Sequence, residues 1–345
     1  MSELVDHLAE LTGFRDRDLL DVTLVGTLRD LLQPRAVAMY RCVGEVGEER
    51  WLTRARLRAG ESVASADPAW ADIDSLPRVT DHPERLDCLV SAAAVTVPGD
   101  PHVSVFPVTS DREVVGVLEV HTAAPLDAQQ QRVVCSILRI VQNFQSLLDY
   151  SERDTLTGLL NRKTFDESFL KATAQVAAAP AMSAALSDAR RASPVALRHW
   201  LGVIDIDHFK RVNDGFGHLI GDEVLLLLAR LMRSSFRHHD RLYRFGGEEF
   251  VVLMRCGDEA GALAAFERLR ANTERYAFPQ VGRITVSVGI TEVRPVDTPS
   301  AAFERADKAV YHAKQHGRNR VESYAALVAA GALQEAAKVG DVELF

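Results

Sequence analysis

The sequence predicts an α/β (α+β) protein of two domains, an antiparallel sheet with flanking helices followed by a βαββαβ sandwich. Three observations predict it. The 345 residues are enough for roughly two domains at about 150 residues each. The first 125 residues read as a run of short strands between two helical patterns, whereas from residue 154 onward strands and helices alternate. A single long helical pattern separates the two regimes. With 47% hydrophobic and 26% charged residues, the composition is that of an ordinary globular protein able to bury a core. No apolar run approaches the ~20 residues that span a bilayer. The acidic start MSELVDHLAE lacks the apolar stretch of a secretion signal, which predicts a cytoplasmic chain. Four scattered cysteines form no CxxC pair, which argues against a disulfide framework or a zinc site and for reduced core cysteines. A net charge of −8 disfavours a nucleic-acid partner but leaves room for a local anion site.

The first domain, 1–125, opens with a helix from Arg17 to about Gln33, with Leu19, Leu20, Val22, Leu24, Leu28, Leu31 and Leu32 giving a broad apolar face. Strands are expected at AVAMYRCV, WLTRARL, HVSVFPV and EVVGVLEVH, the last two joined by the polar turn TSDRE. This order and size resemble GAF-type sensory domains, which implies an unidentified sensory ligand. His82, Cys88 and His102 are given no role. From 126 to 153 one helix is predicted. Val133, Ile137, Ile140, Phe144 and Leu147 recur at spacings of 4 and 3, an a/d seam. That seam either packs on the domain's own sheet or joins two parallel copies, and the second is favoured because the helix directly connects two domains. Residues 172–197, rich in Ala and Ser with two prolines, read as an excursion without chemistry.

In the second domain LGVIDI is a short buried strand ending in acids. DGFGHLIGDEVLLLLARLMRSSF turns into a helix with Val224, Leu225, Leu228, Leu231 and Met232 on one face. DRLYRF and EEFVVLM are strands around Gly246-Gly247, a pair suited to a tight hairpin with positive φ. DEAGALAAFERLRANTERY is a helix and RITVSVGITEV a strand. Thr298 caps a helix with Pro299 at its first position and Gly317 at its end. RVESY is a final strand, and 326–345 a tail.

RFGGEEF carries the chemistry. Two glycines without side chains let a bulky ligand approach the backbone, and Glu248 and Glu249 follow at once. In a βαββαβ sheet the end of the first strand, with Asp205 and Asp207, lies beside this hairpin. Asp205 and Glu248 therefore converge across neighbouring strands. Oxygen donors of this kind suit Mg²⁺, which keeps waters and binds through one or two carboxylates plus substrate phosphates.

Residues 154–325, through DTLTGLLNR, DIDHFKRVNDGFGHLIGD, RFGGEEF, SVGI and KQHGRNRV, resemble the GGDEF-type diguanylate cyclases, here with the variant GGEEF. The resemblance implies condensation of two GTP into cyclic di-GMP with release of two pyrophosphates, by a homodimer whose half-sites each hold one GTP. It implies Mg²⁺ or Mn²⁺, two per site, held by Asp205, Glu248 and the Ile206 carbonyl. Glu248 also helps deprotonate the 3′-hydroxyl, while Glu249 orients either the metal shell or a lysine. Asn213 and Asp222 match the guanine-reading pair: a carboxylate accepts from the guanine N1–H and 2-amino group, which adenine cannot match. Lys210, Lys314 and Arg318, the backbone of His208 and Phe209, and the glycines Gly246 and Gly247 match the substrate-binding positions. Arg237 and Asp240, completed by Arg268, match an inhibitory product site. The competing reading is a catalytically silent domain of the same type that serves as a receptor for cyclic di-GMP or GTP. A cyclase making a 3′,5′-cyclic mononucleotide is disfavoured by the GGEEF and RxxD pair.

Overall fold

The computed structural model describes residues 9, 11, 13, 17–44, 47–68, 71, 73–110, 113–170, 172–173, 198–237 and 239–335. It divides into two compact units, Met1–Ser151 and Glu152–Phe345. Among the described residues no helix is long and apolar enough to cross a membrane.

In the first unit, helix α1 (Arg17–Leu32) precedes β1 (Ala36–Val43) and β2 (Arg50–Arg58). Helix α2 (Pro83–Ser91), β3 (Val95–Val97), β4 (His102–Thr109), β5 (Val114–Thr122) and α3 (Ala128–Glu152) follow. The strands form one sheet in the order β2-β1-β5-β4-β3, every neighbouring pair antiparallel. Because strand side chains alternate between faces, the sheet buries two cores. Met39, Leu118 and Val120 meet Leu20, Leu24 and Leu28 of α1 and Val134, Ile137 and Val141 of α3. Tyr40, Val105 and Val117 meet Cys88 and its neighbours in α2. The apolar face of α1 is narrower than expected, since Leu19 and Val22 are exposed. Helix α2 was not foreseen, although Pro83 at its first turn and Glu84 behind it are start signals. Of the cysteines, all free, only Cys88 lies in a core and Cys135 is exposed.

Helix α3 begins where Asp127 accepts from the backbone N–H groups of Gln129 and Gln130 and the Gln130 side chain accepts from the Asp127 N–H, a capping box. Its buried residues Val134, Ile137, Val141 and Leu148 lie on one stripe with the 3.6-residue period. The expected a/d seam is therefore corrected. Ile137 is 2% exposed within its own unit's core, and Val133 and Phe144 lean on that core. Of the five, Leu147 faces outward at 68% exposure.

The second unit starts with β6 (Leu160–Asn161) and a helical stretch over 162–170. Most of the 172–197 excursion, residues 174–197, lies outside the described residues. Then come β7 (Arg198–Ile206), α4 (Phe209–Phe216), α5 (His218–Ser235), β8 (Arg241–Gly246) and β9 (Glu249–Cys256). After these come α6 (Glu259–Arg275), β10 (Ala277–Phe278), β11 (Gly282–Arg283), β12 (Val286–Glu292), α7 (Pro299–Gln315), β13 (Val321–Ser323) and α8 (Tyr324–Ala329). The central sheet runs β13-β12-β7-β9-β8-β6. One face packs Ile204, Phe250, Val252 and Val286 against α5 and α6. The other packs Val203, Tyr243 and Val251 against α7 and the 162–170 stretch.

Three differences from the sequence reading matter. The segment before α5 is itself a helix, α4, separated by Gly217 at φ 83°, a value that favours glycine. The short strand β6 adds a parallel edge beside β8. Part of the expected tail is α8, whose Tyr324 and Leu327 pack on Ala309; 336–345 lie outside the described residues. Helix α7 keeps the expected Thr298 cap and Pro299 start. It sits unusually close to β12: Ala302, Ala306, Ala309 and Ala313 are fully buried, and a Cβ on Gly289 would fall 2.1 Å from the Ala306 carbonyl oxygen.

Candidate active site

Strand pairing places the acids. Asp205 stands opposite Glu249 across β7 and β9, and the Ile206 N–H donates to the Glu248 carbonyl at 3.4 Å. Gly246 and Gly247 both have positive φ, 142° and 53°. Gly246 pairs with Glu249 after an irregularity between Arg244 and Gly246, so the two-residue loop is Gly247-Glu248, one position later than expected. Glu248 thus sits on the turn itself rather than on the strand.

Two residues outside the expected set hold this hairpin. Arg244 donates to both carboxylate oxygens of Asp154 at 3.0 and 3.1 Å and to the Gly247 carbonyl at 2.9 Å. Asp154 is fixed in turn by Thr157 through N–H and hydroxyl. The guanidinium fork suits such convergent oxygens. Both residues lie inside the quoted motifs, but only the fold reveals that they touch.

The Asp205 side chain is only 14% exposed. Its Oδ2 pairs with Lys314 Nζ at 2.7 Å, and its Oδ1 is buried with no hydrogen-bond partner. Burial raises its pKa above the ordinary carboxylate value against the pull of Lys314. Glu248 is raised by burial and then by the Asp205 charge, opposed by Lys314. Glu249 is raised by burial, then by Asp307 and Asp205, and opposed by Arg162 and Lys314. Asp307 was not foreseen. It lies seven residues before Lys314 on α7, two turns along the same face, and that spacing was the available signal. Like charges that raise one another mark a place where an added cation is favourable. An unpartnered, buried carboxylate oxygen beside Glu248 and the Ile206 carbonyl fits a hard divalent ion with oxygen ligands. Among the described residues no group of three His, Cys, Asp or Glu side chains could cage a metal unaided. Any ion here draws its remaining ligands from water and phosphate.

Of the expected substrate groups, Lys314 touches these acids directly; the others are placed by their elements. Asn213 is on α4 and Asp222 on α5. The Asn213 amide is seated against Gly221, where a Cβ would lie 2.0 Å from its Oδ1. His208, exposed and left-handed at φ 59°, starts α4 with no side-chain cap, leaving first-turn N–H groups for an anion. Phe209 is buried, Lys210 exposed. Lys314 ends α7, and Gly317, Arg318 and Asn319 follow with φ of 109°, 62° and 48°. Non-glycine residues held there cost roughly 1–3 kcal/mol each.

Arg237, Asp240 and Arg268 also come together. Asp240 Oδ2 accepts from the Arg237 N–H at 2.9 Å, and the Arg268 guanidinium donates to the Ser235 carbonyl. Burial pushes the Asp240 carboxyl up to about 6, against Arg237, Arg255 and Arg268. Its Oδ1 is buried without a hydrogen bond, with His239 Nε2 at 3.8 Å.

The chain matches known proteins over the second unit. The family described as "Diguanylate cyclase, GGDEF domain" matches residues 151–320. Diguanylate cyclase DgcP of Pseudomonas aeruginosa is 47% identical over 148 residues, 40% of this chain and 22% of that protein. Diguanylate cyclase DgcZ of Escherichia coli is 36% identical over 173 residues, 49% of this chain and 52% of that protein. The chain thus spans about half or less of the length of these relatives. The GGDEF domain of DgcB from Caulobacter crescentus, solved in complex with c-di-GMP, is 32% identical, covering 50% of this chain and 93% of that one with a TM-score of 0.43. The family match and the curated relatives identify residues 151–320 of this chain as a GGDEF domain of the diguanylate cyclase type.

Proposed function

We propose that the protein condenses two GTP into cyclic di-GMP with release of pyrophosphate. The observation that carries this reading is the unpartnered buried oxygen of Asp205, set between Lys314 and the Glu248 turn. Asp205, Glu248 and the Ile206 carbonyl would hold Mg²⁺ or Mn²⁺, two ions per site. Such ions, when bound, neutralise the triphosphate and lower the pKa of the attacking hydroxyl. Asn213 and Asp222 read guanine. Lys314 and Arg318, with Lys210 and the start of α4, bind phosphates, and the bare hairpin at Gly246 and Gly247 lets the nucleotide approach the backbone. Glu248 takes the 3′-hydroxyl proton as a general base. Glu249 orients the cations around Asp205 and Lys314.

In this reading the active species is a homodimer, because each half-site holds one GTP and the 3′-hydroxyl of one attacks the α-phosphate of the other. The first unit, a helix-flanked antiparallel sheet, is a GAF-like sensory module for an unidentified ligand. The product inhibits through Arg237, Asp240 and Arg268: the Asp240 oxygen accepts from guanine N1–H and the arginines grip phosphate.

The test is incubation of the purified chain with GTP and Mg²⁺, chromatographic identification of the product, and titration of cyclic di-GMP into the same assay. Cyclic di-GMP is expected from the wild type. Glu248→Gln is expected to bind GTP but turn over at least ~100-fold more slowly, the scale of a lost acid–base group. A protein that binds GTP and yields no product would instead be the receptor.

A further inference from the structure

We propose that Asp207 is a positioning residue that fixes the turn carrying Arg318 against the triphosphate, an inference that rests on the cyclase reading above. Asp207 follows the metal-binding strand end by two residues and precedes the left-handed His208 by one. It is only 5% exposed. Its carboxylate accepts three hydrogen bonds, all from neutral groups. Ser287 Oγ donates to Oδ1 at 2.7 Å. Thr285 Oγ1 donates to Oδ2 at 2.7 Å, and the backbone N–H of Asn319 donates to the same oxygen at 3.0 Å. The Asp207 N–H is itself donated to the Thr285 carbonyl at 2.9 Å.

The hydroxyls of Ser287 on β12 and of Thr285 just before it would be satisfied by any acceptor. The third donor needs an acceptor fixed in place, because it belongs to a turn whose backbone is strained. Arg318 and Asn319 are consecutive non-glycine residues with positive φ, and such a pair persists only where its surroundings over-determine it. Those surroundings are visible. The Arg318 N–H donates to the Ala313 carbonyl at 2.9 Å. The Asn319 side chain accepts from Arg270 at 2.8 Å and donates to Glu274 at 2.9 Å, two residues of α6 that pair with each other at 2.7 Å. Asn319 is thus held by α6 through its side chain and by Asp207 through its backbone.

The consequence is geometric. One carboxylate ties the cationic turn after α7 to the strand end that bears Asp205 and to the start of α4. The three parts that would contact the triphosphate are then spaced by Asp207 rather than each by its own element. Without it the turn loses its backbone tie to the end of β7, and Arg318, which the turn carries, is no longer held in register with that strand end. The guanine-reading pair, on α4 and α5, is not in this chain of bonds.

The test separates phosphate from base. Binding of 3′-deoxy-GTP, which has no attacking hydroxyl, and of GMP, which lacks the β- and γ-phosphates, is measured by calorimetry with Mg²⁺ on the full chain. Asp207→Ala is expected to weaken 3′-deoxy-GTP about tenfold or more, the scale of a displaced charge-assisted phosphate contact, and GMP less than about twofold. Asn319→Gly, which keeps the N–H that Asp207 accepts and suits positive φ, is expected to leave both affinities within about twofold of wild type. Asp207→Asn should restore triphosphate affinity, because an amide oxygen still accepts from Thr285 and Asn319 while its NH₂ donates to the Ser287 hydroxyl. Equal loss for both nucleotides or wild-type triphosphate affinity in Asp207→Ala overturns the proposal, and so does a loss in Asn319→Gly as large as in Asp207→Ala, which would give the hold to α6 instead. Should Asp207→Ala fail to fold, Asp207→Ser, whose hydroxyl is too short to reach the Asn319 N–H, is measured in its place. A wild type that binds 3′-deoxy-GTP no tighter than GMP would sink the cyclase reading itself, whatever the variants do.

Discussion

A Cβ on Gly221 would lie 2.0 Å from Asn213 Oδ1 and 3.1 Å from its Cγ, closer than real atoms approach. Gly221→Ala must therefore turn the Asn213 amide out of its seat. In the same substitution α5 exchanges glycine for the best helix former, worth about 1 kcal/mol. The expected outcome is unusual: a melting temperature no lower than wild type, but discrimination of GTP over ATP reduced about tenfold, as for one lost base-reading hydrogen bond. Competition of ATP against GTP measures it, and unchanged discrimination would remove Asn213 from the guanine site. Such residues were the least legible in the sequence. Asp205, Glu248 and Lys314 announce themselves through charged residues at motif spacings. Gly221, Arg244, Asp207 and Asp307 act through proximity across elements, which no local pattern encodes.

Among the elements, α2 shows why a fold can be read while its ties are missed. Its nine residues are too few for a clear period, yet it supplies Arg85 to a buried ion pair. Arg85 donates to both Glu119 oxygens at 2.5 and 3.1 Å and lies 3.6 Å over the Tyr40 ring, while His121 reaches Glu119 at 2.7 Å. Burial works against the Glu119 carboxylate, but the bonds from His121 and Arg85 prevail and hold its pKa at about 2 against an ordinary 4.5. A carboxylate depressed in this way stabilises the folded unit above pH 4.5, and the contribution fades as pH falls from 4.5 towards 2. Its scale is about 3 kcal/mol. Glu119→Gln is expected to cost about 3–5 kcal/mol at neutral pH, because Arg85 stays buried without its counter-charge. The variant should also lose the part of the acid dependence that lies in that window. Thermal melts of wild type and variant at several pH values would show both effects, and parallel curves with equal midpoints would contradict them. The strands of this unit were readable as short runs rich in β-branched and aromatic residues bounded by turns; α3 was readable as a helix but not as to which side it buries.

For the molecule as a whole, the proposed condensation of two nucleotides, one per half-site, would need two copies. The outward residues of α3, Leu147 at 68% and Tyr150 at 78% exposure, are the apolar surface left over once the inner stripe has been used by its own sheet. Replacing Leu147 and Tyr150 with glutamate is expected to give a folded monomer by sedimentation whose specific activity falls as the protein is diluted. Ile137→Glu should instead unfold the first unit, a difference visible in the melting curve. Full activity of a demonstrated monomer would rule out the paired mechanism. A heptad spacing alone could not separate the two sides, because periods of 3.5 and 3.6 residues stay nearly in phase over so short a helix. The seat of α7 carries a last implication. Gly289 and the buried alanines Ala302, Ala306, Ala309 and Ala313 place helix and strand at the thickness of two bare backbones, and Lys314 comes one residue after the last of them. Through these five positions the chain specifies a gauge rather than a reagent: the 2.7 Å between Lys314 and Asp205 is machined by side chains that are hardly there, and a single added methyl at Gly289 would shim the bearing on which Lys314 is mounted.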